Sequence, residues 1–125
     1  MNPLDYCSLE MSRKLADAGI VLETNMNWAN VKGYDDVEEW ELNYSWGEYP
    51  APSMSELWRE LPEDIVDEGM AYRRMLSVEG LPLKTVAGYY HCTQVIPWLV
   101  KYSSVNPCDA LAELLILVRK EAGDE

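Results

Sequence analysis

The chain has 125 residues, 48% hydrophobic and 26% charged, with 22 acidic against 10 basic side chains and a formal net charge of −12. That length suggests a single domain over residues 1–125, large enough to bury roughly two-thirds of its unfolded surface without a disulfide or metal staple. The charge disfavours direct binding to phosphate backbones and to anionic membranes, both of which require clustered Lys and Arg. It reads as a coat that resists association or, more sharply, as an acidic face for a basic partner.

Near the amino terminus, Asn2, Pro3 and Asp5 spell a helix start: a capping side chain, a proline at the first helical position and an acid facing the positive helix end. The spacing of Leu4, Cys7, Met11, Leu15 and Ala18 predicts a helix over 3–18, stopped by Gly19. Pro3 and Asp5 also stand where a signal peptide would carry basic and apolar residues. With the odd count of three cysteines, Cys7, Cys92 and Cys108, this leads us to expect a reducing, cytoplasmic setting.

The period then changes to two. Leu22, Thr24, Met26 and Trp28 alternate with polar residues, as do Trp40, Leu42, Tyr44 and Trp46, which predicts strands over 22–28 and 40–46 joined by a wide acidic loop. Ser53 and Glu56 form a capping box ahead of a stripe of Met54, Leu57, Trp58 and Leu61, ended by Pro62. Acids continue through Asp64, Asp67 and Glu68. The stretches 70–78 and 85–95 read as strands joined by a turn around Gly80 and Pro82, and 98–105 as another short strand.

The last segment, NPCDALAELLILVRKE (106–121), repeats the start signal with Asn106, Pro107 and Asp109. Its apolar residues cover more than half of the helix circumference. Glu113 interrupts them, and the run is about half of the ~20 residues a membrane crossing needs, so we expect a helix buried against a sheet. The order α-β-β-α-β-β-(β)-α lacks regular βαβ alternation. It predicts an α+β fold, with an antiparallel sheet of about four to five strands packed by three helices.

Chemistry is sparsely signalled. His91 is the lone histidine and there is no C-x-x-C, which disfavours zinc. The acidic loop with Asp35, Asp36, Glu38 and Glu39 lacks EF-hand spacing and reads as a solvated loop. Cys7 or Cys108 with His91 would make a thiol–imidazole pair, but buried cysteine acting as a small apolar residue is the better account. No glycine-rich phosphate loop is present, and Arg73 and Arg74, adjacent on a strand, point to opposite faces. Five Trp and eight Tyr, with no Phe, are unusual. Trp28, Trp40 and Trp46 suggest one shared sheet face. The favoured reading is core under a helix; the functional one is a protein-binding surface bordered by Asp35, Asp36, Glu38 and Glu39.

Three stretches, SLEMSRKLADAGI (8–20), YPAPSMSELWRELP (49–62) and NPCDALAELLILVRKE (106–121), together resemble small uncharacterised proteins encoded by phages and prophages, in which helices of this kind recur in this order. The likeness covers about a third of the chain and leaves 63–105 unmatched. It implies origin in a mobile element and carries over no catalytic residue.

The leading expectation is therefore a small non-enzymatic protein of the host cytoplasm that acts by binding another protein, with no cofactor, no direct nucleic-acid contact and no membrane. One alternative is an acidic inhibitor of a host defence protein that mimics nucleic-acid charge. Another is an unrecognised enzyme using His91 or Cys92. A homodimer through a sheet edge or the last helix fits each of these.

Overall fold

In this computed structural model, which describes residues 3–32, 38–44 and 46–123, the amino-terminal start signal yields one 3-10 turn, Pro3–Asp5, and no long helix. The chain from Tyr6 to Ser8 is extended because its backbone is held by distant parts of the molecule. Cys7 donates its N–H to the Pro52 carbonyl at 3.0 Å, Ser8 donates to Asp109 Oδ1 at 2.8 Å, and Asn106 Nδ2 donates to the Tyr6 carbonyl at 2.9 Å. The helix expected from Pro3 starts instead at Leu9. Ser8 caps α1 (Leu9–Asp17) by accepting from the Met11 N–H at 3.2 Å, and Gly19, at φ +75°, ends the helical path as expected.

Residues 22–28 were expected to pair as a strand; only Asn27 and Trp28 do. The alternation ahead of Asn27 reflects burial, with a single backbone bond, from the Ala51 N–H to the Met26 carbonyl at 2.9 Å, in place of a ladder. Met26 is fully buried and Leu22 packs on the core, while the Asn25 N–H is held by Glu56 Oε2 at 3.1 Å. The same Glu56 closes the capping box, its Oε1 accepting from the Ser53 N–H at 2.9 Å. One carboxylate thus fixes both the start of a helix and the extended chain beside it.

The antiparallel pairing divides into two sheets where one was expected. The first has the order β2-β1-β3, with β1 at Asn27–Lys32, β2 at Glu38–Asn43 and β3 at Tyr49–Pro50. After α2 (Met54–Glu60) comes the second, order β4-β5-β6-β7: β4 at Asp64–Asp67, β5 at Met70–Glu79, β6 at Lys84–Tyr90 and β7 at Trp98–Ser104. The fold is α+β. The turn at Gly80 and Pro82 joins β5 to β6, and β7 follows Pro97, both as expected.

The acidic stretch read only as a continuation of charge is in fact β4. A two-residue turn links it to β5, with Glu68 at φ 51° and Gly69 at φ 80°. Positive φ at both central positions is the hairpin geometry that matches strand twist, and Gly69 supplies half of it without strain.

α3 (Pro107–Gly123) begins as the sequence indicates. Asn106 Oδ1 accepts from the Cys108 N–H at 2.9 Å and the Asp109 N–H at 3.4 Å. Ala110, Leu111, Leu114 and Leu115 are wholly buried in the main core, with Leu57 and Leu61 of the α2 region and Ala87 and Tyr89 of β6. Burial of this kind is worth roughly 1.5–3 kcal/mol per large side chain and is what holds α3 to the second sheet. No helix among the described residues is long and apolar enough to cross a membrane.

Candidate functional site

The two sheets present different surfaces. In the first, Trp28 lies opposite Tyr49 and Leu42, and Trp40 opposite Asn30, so Trp28, Trp40 and Tyr49 share one face. Arg13 of α1 and the segment before that helix reach this face, where the three rings are half-buried. The Arg13 guanidinium lies 5.0 Å from the Trp40 ring centre and 5.6 Å from that of Tyr49, while those two rings are 5.8 Å apart. Trp28 Nε1 donates to the Cys7 carbonyl at 2.9 Å, which gives the indole N–H a partner inside the fold.

Trp46 does not share that face. It lies beyond the end of β2 and is 54% exposed. Glu39 is exposed on β2, and Glu38 opens that strand opposite Lys32. Asp35 and Asp36 lie outside the described residues.

The second sheet leaves an opening. A groove of about 630 Å³ runs between its two edge strands and the end of α3. Its floor and walls are apolar: Ile65 and Val66 of β4, Leu99 and Val100 of β7, Leu117 and Val118 of α3. Its rim carries Asp64, Asp67 and Glu121. Volumes of 300–1,000 Å³ with mostly apolar walls and a few placed polar groups are typical of binding clefts.

Local pairing explains how each wall is built. Tyr89 pairs with Val100 but Tyr90 with Trp98, so Leu99 is an extra residue in β7. Such a bulge bends the strand and re-aims side chains, and here two consecutive residues, Leu99 and Val100, both line the groove. Across β6, Gly88 is required: a Cβ there would lie 2.9 Å from the Trp98 ring carbons and closer still to the Val100 carbonyl.

On the opposite wall, all four residues of β4 line the groove, although neighbours on a strand point to opposite faces. Only the strand's edge shows both parities at once. The hydrogen-bonding phase confirms which backbone groups lie there. The two-residue turn makes Asp67 and Met70 a hydrogen-bonded pair, and the Arg74 N–H donates to the Glu63 carbonyl at 3.0 Å. Ile65 and Asp67, with the Glu63 carbonyl, therefore spend their backbone groups on β5, while the N–H and C=O of Asp64 and Val66 face away from the sheet.

The adjacent arginines separate as the strand period requires. Arg73 lies 3.4 Å from Asp64, whereas Arg74 turns inward, donating to the Trp58 carbonyl at 2.6 Å and the Leu61 carbonyl at 3.2 Å over the Trp58 ring. Arg74 thereby satisfies the last carbonyls of α2.

The thiols and imidazole named by the sequence are not brought together for chemistry. Burial pushes the Cys7 thiol far up and the Cys108 thiol to about 12, the reverse of what an activated nucleophile needs. His91 Nδ1 accepts from the Thr93 N–H at 3.3 Å and contacts the Thr93 hydroxyl at 2.8 Å, its ring meeting Tyr72 edge-on. Cys92 is exposed beside it. Among the described residues, no group of three or more His, Cys, Asp or Glu side chains is arranged to hold a metal ion.

No protein-family model, curated protein or solved structure matches this chain.

Proposed function

We propose that the protein works by binding another protein, and that the groove between β4, β7 and the end of α3 is where it does so. The observation that carries this reading is the coincidence of an apolar cleft with exposed backbone groups and a carboxylate rim in one place. Apolar area supplies affinity, whereas the acids select a basic partner and speed its approach. The likeness of the three helical segments to phage and prophage proteins supports a host protein as that partner. An acidic decoy for a nucleic-acid-binding protein would use the same net charge. It needs carboxylates laid out over an open surface, and a greasy floor with acids only at its margin suits a protein chain better.

The test is affinity capture from host lysate at low and high salt with wild-type protein and Val66→Lys, both shown to be folded by circular dichroism. Val66 is 69% exposed on the outer edge of β4, so the substitution puts a repelling charge at the margin of the groove while leaving the core alone. A partner retained by wild type, weakened by salt and lost with the variant supports the proposal. Identical capture by both proteins contradicts it, as does turnover of a nucleotide, ester or peptide that His91→Ala abolishes.

A further inference from the structure

We propose that the groove accepts an extended basic segment of the partner, which adds as a new strand to the outer edge of β4. Its apolar side chains on one face enter the cleft, and a lysine or arginine at the end of that same face meets Asp67 and Glu121. This rests on the protein-binding reading above and specifies the shape and charge of what is bound.

The shape follows from the backbone. A ligand that meets Asp64 and Val66 finds two N–H and two C=O groups aimed at it, spaced for every second residue of an antiparallel or parallel neighbour. Only an extended chain satisfies that spacing, since a helix keeps its own backbone groups bonded internally. β4 is four residues long, so the strand pairing spans about 13 Å. The apolar wall opposite, Leu99, Val100, Leu117 and Val118, is then positioned to receive the side chains on one face of the added strand.

The charge follows from the local balance around the rim. Asp64 is shared with Arg73 at 3.4 Å. Among the described residues, Asp67 and Glu121 have no ion-pair partner. The two cations on the last turns of α3 face elsewhere: Arg119 reaches Glu60 at 2.8 Å, and Lys120 borders a separate notch with Ala18 and Ile20. The carboxyl end of α3 adds its own partial negative charge beside Glu121. Acids also argue against a second copy as occupant, because pairing two β4 edges antiparallel through Asp64 and Val66 sets Asp67 of one chain opposite Glu63 of the other.

The probe is an acetylated, amidated hexapeptide that alternates threonine on one face with two valines and a terminal lysine on the other, titrated into the full chain and followed by amide shifts in NMR. Saturable shifts are expected at Val66, Asp67, Leu99 and Val118, with the Val66 amide newly protected from exchange. N-methylation of the peptide amides that face β4 should weaken binding about tenfold or more, since it deletes the ladder bonds but keeps every side chain. Val66→Pro, which removes the outward N–H of an edge position that tolerates proline, should act likewise. Asp67→Asn with Glu121→Gln should lower affinity several-fold and flatten its salt dependence.

A peptide with its lysine replaced by glutamate binding equally well overturns the charge assignment. Equal binding of N-methylated and parent peptides overturns strand addition, as does absence of binding at millimolar peptide. In those cases loss of lysate capture on Val66→Lys would still stand for a protein-binding groove of another shape, so the two readings fail separately.

Discussion

The two sheets share antiparallel pairing and apolar side chains, yet one spends its aromatic face on the fold and the other keeps an edge open. On the three-stranded sheet, Trp28, Trp40 and Tyr49 are half-buried and tied down by Arg13 of α1 and the Cys7 carbonyl. On the four-stranded sheet, α3 covers only part of the concave side, and beyond its buried residues Leu117 and Val118 line a cleft. The lesson concerns where function is sought. Tryptophan and tyrosine look like interface residues in a sequence, but here Trp40 and Tyr49 meet each other and Arg13, and Trp28 donates to the Cys7 carbonyl. A short edge strand of modest aliphatic residues is the more promising surface, because its backbone is unpaired.

That contrast can be broken in several ways. The largest effect is expected at the seam where Tyr6–Ser8 meets the start of α3. The Cys7 thiol is pushed far above its ordinary value of 9.0, and that of Cys108 to about 12, both chiefly by burial. Folding thus favours the protonated thiols. Their contribution is intact below pH 9.0, where the unfolded thiols begin to ionise, and is lost as pH rises toward about 12. Melting temperature should fall as pH rises above 9.0 toward about 12, and the Cys7→Ala, Cys108→Ala double variant should show a flatter slope. Thiol-labelling of the native protein should report Cys92 alone as reactive.

Next comes Trp28→Ala, which removes a half-buried indole and its bond to Cys7 and should cost about 2–3 kcal/mol by chemical denaturation. Gly88→Ala should cost about 2 kcal/mol, since the added methyl meets Trp98 and the Val100 carbonyl and must push β7 from β6. A smaller loss, about 0.5–1 kcal/mol, is expected for Arg13→Ala from the two cation–ring contacts. Val66→Lys should change stability by less than about 0.5 kcal/mol, as befits an exposed edge position. A costly Val66→Lys with a harmless Trp28→Ala would reverse the assignment of closed and open faces.

How much of this was legible beforehand depended on range. Signals that act within one turn of chain were reliable: Asn106 and Pro107 at the start of α3, the Ser53–Glu56 box of α2, and Gly19 and Gly80 as breaks. The start of α1 differs because bonds to Pro52, Asn106 and Asp109 hold residues 6–8 extended, and no local rule anticipates partners so distant in the chain. Residues 22–28 alternate because Leu22 and Met26 are buried, which in a strand and in an unpaired extended chain looks the same. β4 was hidden by its charges, since an edge strand carries acids that a central one would not; the Glu68–Gly69 pair was the one available clue. The groove had no signature of its own. It is assembled from strands more than thirty residues apart and a helix end, and only the sheet's pairing order brings them together.

Residue-resolved amide exchange on the isolated protein reads out whether the β4 edge is open. With the β4 edge open, the Val66 amide should exchange at least about tenfold faster than that of Ile65, whose N–H is spent on β5. The indole N–H of Trp28 should meanwhile be strongly protected. Val66 exchanging as slowly as Ile65 would mean the edge is already covered, and the account of this groove as a place for a partner's strand would be wrong.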